Sequence, residues 1–263
     1  MVKHIVSFSG GKDSTAMLLR MLELDMPIDE IIFADTGFEF PELYDYIKRV
    51  EKYIGREIKF LKPKKDFWEW ANGEVTRGNN KGKIRGLPLR AYPCWWTREA
   101  KIIPLQEQRQ QEDTIFYVGI ALDEKERMSK VDNNIKYPLV EWGWLESDCV
   151  DYLNKKKILN PLYVNFNRLG CWMCPKQGSG SLYVMWKVYP ELWEKMKAME
   201  KWQADNKGSK LYVHYLKQIE LAYQKGYVPP KLPKYGCSHG CESVKRAFKE
   251  YQCNLSNYEV YDD

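Results

Sequence analysis

Val6-Ser7-Phe8-Ser9-Gly10-Gly11-Lys12-Asp13-Ser14-Thr15 is the stretch that decides the fold. A short apolar strand, Ile5-Val6, runs into it, and a helix-like run, Ala16-Met17-Leu18-Leu19-Arg20-Met21-Leu22, runs out of it. Paired glycines let the backbone approach a phosphate closely, and the free N–H groups at the helix start face that anion. Lys12 adds a point charge, Ser9 and Ser14 add hydroxyl donors, and Asp13 is placed to reach a Mg²⁺ carried by a nucleotide. The spacing differs from G-x-x-x-x-G-K-[ST], which excludes ordinary P-loop NTPases.

Outward from this turn, the first half alternates strands and helices. Residues 3–8 read as a strand, 15–24 as a helix and 30–34 as a buried strand ending at Asp35-Thr36-Gly37. Leu43, Tyr46, Ile47, Val50 and Tyr53 recur at helical spacing over 42–54. Residues 58–61 and 114–119 read as further strands rich in β-formers, and 139–142 as another. Such an order implies a parallel sheet with helices on both faces, where ligands bind at strand carboxyl ends. The loop at 9–14 and the turn at 35–37 both fall there and are expected to share one crevice.

Between the third and fourth strands, residues 73–90 carry Arg77, Lys81, Lys83, Arg85 and Arg90 among glycines and asparagines. They read as a solvated mobile loop or as a lid or arm for a polyanionic partner. Helices are expected at 146–156, 190–206, 211–225 and 242–251. We place an α/β nucleotide-binding domain at 1–160 and a mainly helical, cysteine-containing region at 161–263.

A hydrophobic content of 44% supports a sizeable core, and no run approaches the ~20 apolar residues of a membrane span. The chain runs from Met1 straight into a strand with no visible signal peptide, so the cytoplasm is the expected compartment and no membrane partner is expected. There, seven cysteines read as thiols or metal ligands rather than disulfides. A net charge of +5 suits an anionic nucleotide and is too small to argue for nucleic acid by itself.

Cys171-Trp172-Met173-Cys174 presents two thiolates to one metal, joined by Cys94 upstream and by Cys237 and Cys241 downstream. Cys94, Cys171, Cys174 and one of Cys237 or Cys241 would satisfy a tetrahedral Zn²⁺ or a [4Fe–4S] cluster, and spacing does not separate the two. Cys149 lies on an apolar helical face and reads as packing.

Taken together, these segments resemble the phosphoadenosine phosphosulfate (PAPS) reductase family within the PP-loop ATP-pyrophosphatase superfamily. The resemblance rests on Ser9-Gly10-Gly11-Lys12-Asp13-Ser14, on Asp35 to Glu42, and on Thr97-Arg98-Glu99-Ala100-Lys101-Ile102-Ile103-Pro104-Leu105. It continues through Gly119 to Arg127, Pro138 to Trp142, Asn160-Pro161-Leu162-Tyr163, and Arg168 to Pro175. It implies a Rossmann-like sheet of adenine nucleotide alpha-hydrolase type and sulfur chemistry on an adenylated substrate. In members that reduce adenylyl sulfate, a cysteine pair and a later Cys-x-x-Cys hold a [4Fe–4S] cluster. Cys171 and Cys174 match the later pair, while Trp95 and Trp96 follow Cys94 where a second cysteine is expected, which makes Cys237 or Cys241 the fourth ligand. The family's Gly-Ile-Arg reads Gly119-Ile120-Ala121 here, and its C-terminal Glu-Cys-Gly-x-His tail is absent.

Two enzymatic expectations follow. A thiol-dependent reductase of PAPS or adenylyl sulfate would place phosphate and sulfate on Lys12, Arg98 and Lys101, with Ser7, Ser9, Gly10, Gly11, Asp13, Ser14, Asp35, Thr36 and Gly119 around the nucleotide. Cys237 is then a metal ligand, Cys241 the nucleophile, and a thiol protein such as thioredoxin the electron donor. An ATP pyrophosphatase would instead adenylate a nucleic acid or small acceptor and deliver sulfur to it, using Mg²⁺ and Lys12 on the departing pyrophosphate. A non-catalytic, metal-stabilised nucleotide-binding module is the third reading. A homo-oligomer is expected in each case.

Overall fold

A computed structural model of the protein describes residues 2–111, 113–129, 133–212 and 214–230. Five parallel strands, β1 (Lys3–Ser7), β2 (Glu30–Ala34), β3 (Lys59–Leu61), β4 (Thr114–Val118) and β5 (Ile135–Lys136), form one sheet in the order β3-β2-β1-β4-β5. Val6 of the central strand pairs with Ile31 on one side and Tyr117 on the other. Helix α1 (Lys12–Glu23) follows β1, α2 (Pro41–Ile54) follows β2, and α3 (Phe67–Asn72) follows β3. A continuous helical stretch then runs through α4 (Trp95–Thr97), a π-helical turn (Arg98–Ile102) and α5 (Ile103–Arg109). Next come α6 (Pro138–Glu141), α7 (Glu146–Lys155), α8 (Ser179–Val188), α9 (Pro190–Lys207) and α10 (Leu216–Gln224). The fold is therefore α/β and Rossmann-like, with a helical C-terminal part.

Strand periodicity assigns the two faces. Val6 and Phe33 join Met17, Leu18, Ile47 and Leu153 under α1, α2 and α7, whereas Ile5, Ile32 and Phe116 meet Leu105 of α5 on the opposite side. Strands covered on both faces are apolar throughout, which explains why β1 and β2 carry no alternating polar residues at their centres. Helix α2 begins with Pro41 and stops at Gly55, whose left-handed φ of 66° a β-carbon would strain. Helices α8, α9 and α10 bury Leu182, Trp193, Met196 and Tyr223 in the same apolar cluster as α1 and α2. Among the described residues no helix is long and apolar enough to cross a membrane.

The strands read at 30–34 and near 3–8, 58–61 and 114–119 are present. The strand expected at 139–142 is not: Pro138 opens helix α6 there, and the Trp142 N–H donates to the Pro138 carbonyl at 2.8 Å. Proline preset the helical φ, and burial of Leu139 satisfies a helix as readily as a strand. Over 211–225 the helix starts only at Leu216. The helix expected at 242–251 lies outside the described residues.

Residues 73–90 are held rather than loose. Glu74 and Ile84 form an antiparallel bridge, and Val75 and Arg85 donate to the carbonyls of Lys83 and Gly73. Lys207 and Gln203 of α9 bind the Ile84 carbonyl (2.6 Å) and the Leu87 amide (2.8 Å). Arg85 lies over the rings of Trp70 and Trp95, 4.9 and 5.5 Å from their centroids. Arg77, Lys81 and Lys83 remain exposed.

Strand order reverses between β1 and β4, opening a crevice at their carboxyl ends. There Gly119 lies so close to α1 that a β-carbon on it would stand 2.7 Å from Ser14 Cα and 2.8 Å from Ser14 N. Both neighbours are backbone and cannot swing aside. Gly119→Ala should therefore cost about 1–3 kcal/mol of stability, read from urea unfolding, and displace the loop beside it.

Candidate functional site

The β1–α1 turn is built by three devices, one of them from a distant part of the chain. Gly10 adopts φ +70°, and a β-carbon there would meet Leu43 Cδ1 at 2.4 Å. Ser14 Oγ accepts the Ser9 amide (3.1 Å) and lies 2.9 Å from Ser9 Oγ, curling the loop upon itself. From the far side of the chain, the fully buried Asn160 donates Nδ2–H to the Gly10 carbonyl at 2.8 Å.

This turn forms one wall of a cavity of about 180 Å³. Ser9, Gly11, Lys12, Asp13, Ser14, Lys101 and Gly119 line it, as the sequence reading placed them. Ser7 ends β1 in register with Val118, and Gly10 supports the loop from behind. Asp35 spends its Oδ1 on the Gly37 amide (2.8 Å) and the Tyr44 hydroxyl (2.7 Å), so it shapes the turn after β2. Thr36 is buried and donates to Glu39 Oε1 at 3.0 Å. Neither Asp35 nor Thr36 lines the cavity. Arg98 departs furthest from expectation: it projects from the π-helical turn into solvent, pairs with Glu99 at 2.7 Å, and stands outside the cavity. Arg127 and Arg168 line the cavity beside Lys12 and Lys101.

Four acids face these four cations: Asp13, Glu39, Glu124 and Glu146. Lys12 Nζ contacts Glu146 Oε1 at 2.7 Å and Asp13 Oδ2 at 3.4 Å. Burial pulls the Lys12 ammonium down, but Asp13, Tyr163 and Glu146 outweigh it and hold it above its ordinary value. Burial pushes the Asp13 carboxyl up to about 6, with Lys12 opposing and Glu146 and Glu124 adding to the rise. Among the described residues, Asp13, Glu124 and Glu146 bring ligand oxygens within 4.8 Å of one another, a donor set suited to a hard divalent cation. Glu39, Glu124, Glu146, Tyr163 and Arg168 join the cavity in addition to the residues expected from sequence. Most lie inside the family-like segments 35–42, 119–127, 160–163 and 168–175, whereas Glu146 reaches Lys12 across 134 residues and has no local signal.

Lys101 Nζ pairs with the buried Glu39 Oε1 at 3.0 Å, and Thr36 Oγ1, bound to the same oxygen, lies 3.4 Å from Cys171 Sγ. The cavity thus touches the cysteine turn through one chain of polar contacts. The Cys174 amide donates to the Cys171 carbonyl at 3.1 Å, closing that turn, and Cys94 precedes α4 within electrostatic reach of Cys174. Burial, then Glu39, pushes the Cys171 thiol up to about 12, against Lys101, and burial raises Cys174 as well. Half-buried thiols on a tight turn fit a thiophilic metal, which would have to displace their protons on binding. Cys237 and Cys241 lie outside the described residues. Cys149 is fully buried on α7, as packing requires.

A parallel sheet with a glycine-rich turn at its reversal point and a polar cavity above it defines a nucleotide-binding α/β protein of PP-loop type. Residues 3–177 match the phosphoadenosine phosphosulfate reductase domain, and the chain belongs to that family. It is 33% identical over 206 residues to uncharacterized protein MJ0066 of Methanocaldococcus jannaschii, covering 73% of this chain and 40% of that one. It is 29% identical over 176 residues to adenosine 5'-phosphosulfate reductase of Geobacillus kaustophilus, covering 60% and 67%. The chain thus spans less than half the length of the Methanocaldococcus relative. A crystal structure of phosphoadenylyl-sulfate reductase from Candida auris, in a phosphate complex, aligns with a TM-score of 0.47 at 18% identity, covering 65% of this chain and 82% of that one.

The raised Asp13 carboxyl makes a signed prediction. The folded chain holds this proton up to about pH 6, above the ordinary 3.8, so Asp13 withdraws stability as pH rises through that window. Without nucleotide or divalent cation, the stability of Asp13→Asn relative to the parent should grow by roughly 2–3 kcal/mol between pH 4 and pH 7 and then level off, as read by urea unfolding.

Proposed function

We propose that the chain is a sulfur-metabolism enzyme that holds an adenine sulfonucleotide, PAPS or adenylyl sulfate, in the cavity and reduces it at the cysteine side. The observation that carries this reading is the contact chain from Lys101 through Glu39 and Thr36 to Cys171, with links of 3.0, 3.0 and 3.4 Å. It joins a phosphate-sized polar cavity to thiols, and reduction of an adenylated sulfate needs both. Family membership and the 29% identity to a reductase of adenosine 5'-phosphosulfate support it.

In this reading the loop amides, Lys12 and Lys101 neutralise the anionic substrate, and Arg127 and Arg168 take the place expected of Arg98. The Cys241 thiolate attacks the sulfate sulfur. The S–O bond to the nucleotide breaks, the phosphate leaves with that electron pair, and the cysteine carries a thiosulfonate. A thiol donor of the thioredoxin class then attacks the cysteine sulfur, releasing sulfite and leaving a disulfide. Cys94, Cys171 and Cys174, with Cys237, would hold a [4Fe–4S] cluster or zinc, and Lys101 would offset part of the negative charge of its thiolates.

One observation favours a second reading. The convergence of Asp13, Glu124 and Glu146 suits Mg²⁺ better than a bare sulfonucleotide. ATP bound there with Mg²⁺ would release pyrophosphate while adenylating a nucleic acid or small acceptor that then receives sulfur.

Incubating the full chain with PAPS or adenylyl sulfate and a dithiol should release sulfite, and Cys241→Ser should reduce the rate at least about 1000-fold. If no sulfite appears, but acceptor-dependent pyrophosphate forms from Mg²⁺-ATP, the second reading replaces the first. Metal and iron analysis of the anaerobically purified chain distinguishes about four irons from one zinc.

A further inference from the structure

Tyr163 holds a position that neither reaction scheme uses. Its hydroxyl accepts the Lys12 backbone N–H at 2.9 Å. That N–H opens α1, so it is one of the donors a helix start would offer to a phosphate. The Lys12 ammonium lies over the Tyr163 ring, 5.7 Å from its centroid. Gly11 packs closely beside the hydroxyl: a β-carbon there would stand 3.4 Å from the Tyr163 hydroxyl and 3.3 Å from Ser9 Oγ. The segment bearing Tyr163 is locked to the loop by Asn160, which donates to the Gly10 carbonyl (2.8 Å) and accepts the Leu162 amide (2.9 Å).

A phenol hydroxyl has one proton to donate as well as lone pairs to accept. Here the lone pair is used by Lys12, and among the described residues the proton has no acceptor, although the side chain lines the polar cavity. We propose that Tyr163 is a phosphate-positioning residue, passing the Lys12 amide's hydrogen bond onward by donating its own O–H to a phosphate oxygen of the bound nucleotide. The proposal rests on the nucleotide reading of the cavity and deepens it. Burial pushes this hydroxyl up to about 12, against the pull of Lys12, so it keeps its proton at neutral pH. Donating through an intervening hydroxyl places the phosphate one hydrogen-bond length further from α1 than direct contact would.

Tyr163→Phe keeps the ring and its contact with Lys12 and removes only the hydroxyl. Calorimetric titration of the full chain with ATP, adenosine 5'-phosphosulfate and adenosine separates the outcomes. Affinity for both phosphate-bearing ligands should fall roughly 10- to 100-fold, the loss expected for a hydrogen bond to a charged oxygen, while adenosine binding stays unchanged. An equal fall for adenosine would assign Tyr163 a merely structural role and overturn the proposal. Unchanged or tighter phosphate binding would show that the hydroxyl only competes for the Lys12 amide, and overturns it too. A parent chain that binds none of the three ligands refutes the nucleotide reading itself. Should the variant fail to fold, the parent labelled with ¹³Cζ-tyrosine decides: inorganic pyrophosphate should shift the Tyr163 resonance, and an unmoved resonance rejects the contact.

Discussion

Everything at the site depends on how closely the backbone folds at the β1–α1 turn. Gly10 takes a left-handed φ against Leu43, Gly11 passes beside the Tyr163 hydroxyl, and Gly119 brings the end of β4 to within a β-carbon's width of Ser14. Three glycines from two separate crossovers thus place loop amides, α1 and β4 around one point. Asn160 ties the arrangement together by binding the Gly10 carbonyl across 150 residues. A buried amide that both donates and accepts in this way is costly to lose, because an unmade partner inside the protein remains unsolvated. The motif is therefore a tertiary object whose local half alone would be an ordinary turn.

Charge is the second constraint. Four cations and four carboxylates share the cavity, and Lys12 is already neutralised by Glu146 and Asp13. A phosphate entering this space must take Lys12 from its carboxylate partners, or arrive with a cation that occupies them. The acids thus tune which anions bind, favouring those that bring a counter-charge or carry enough charge of their own. The helix start contributes to the same balance, since its donors favour an anion at the point where Asp13 already stands.

The cysteine turn is coupled to this charge balance rather than separate from it. Glu39 accepts from Lys101 and Thr36 at one oxygen, and Thr36 touches Cys171. A change of charge at Lys101, as on binding a sulfate or phosphate, is therefore felt at the Cys171 sulfur through three successive contacts. Burial that raises both thiols keeps them protonated until a positive centre replaces the proton.

The amino-acid sequence by itself determined the alternating strands and helices of the sheet, the glycine turn at the end of β1 and the Cys171–Cys174 pair, because each is written in neighbouring residues. Apolar periodicity fails where two structures bury the same residues: Leu139 is as well buried in a helix as in a strand, and only Pro138 tilts the choice. Tertiary structure alone decided which cations face the cavity. Arg98 and Lys101 lie three residues apart, yet the π-helical turn sends one to solvent and the other to Glu39. It likewise brought Glu146, Tyr163 and Asn160 to the loop from more than 130 residues away. Such contacts leave no local signal, since their energy comes from burial and pairing that exist only once the sheet has closed.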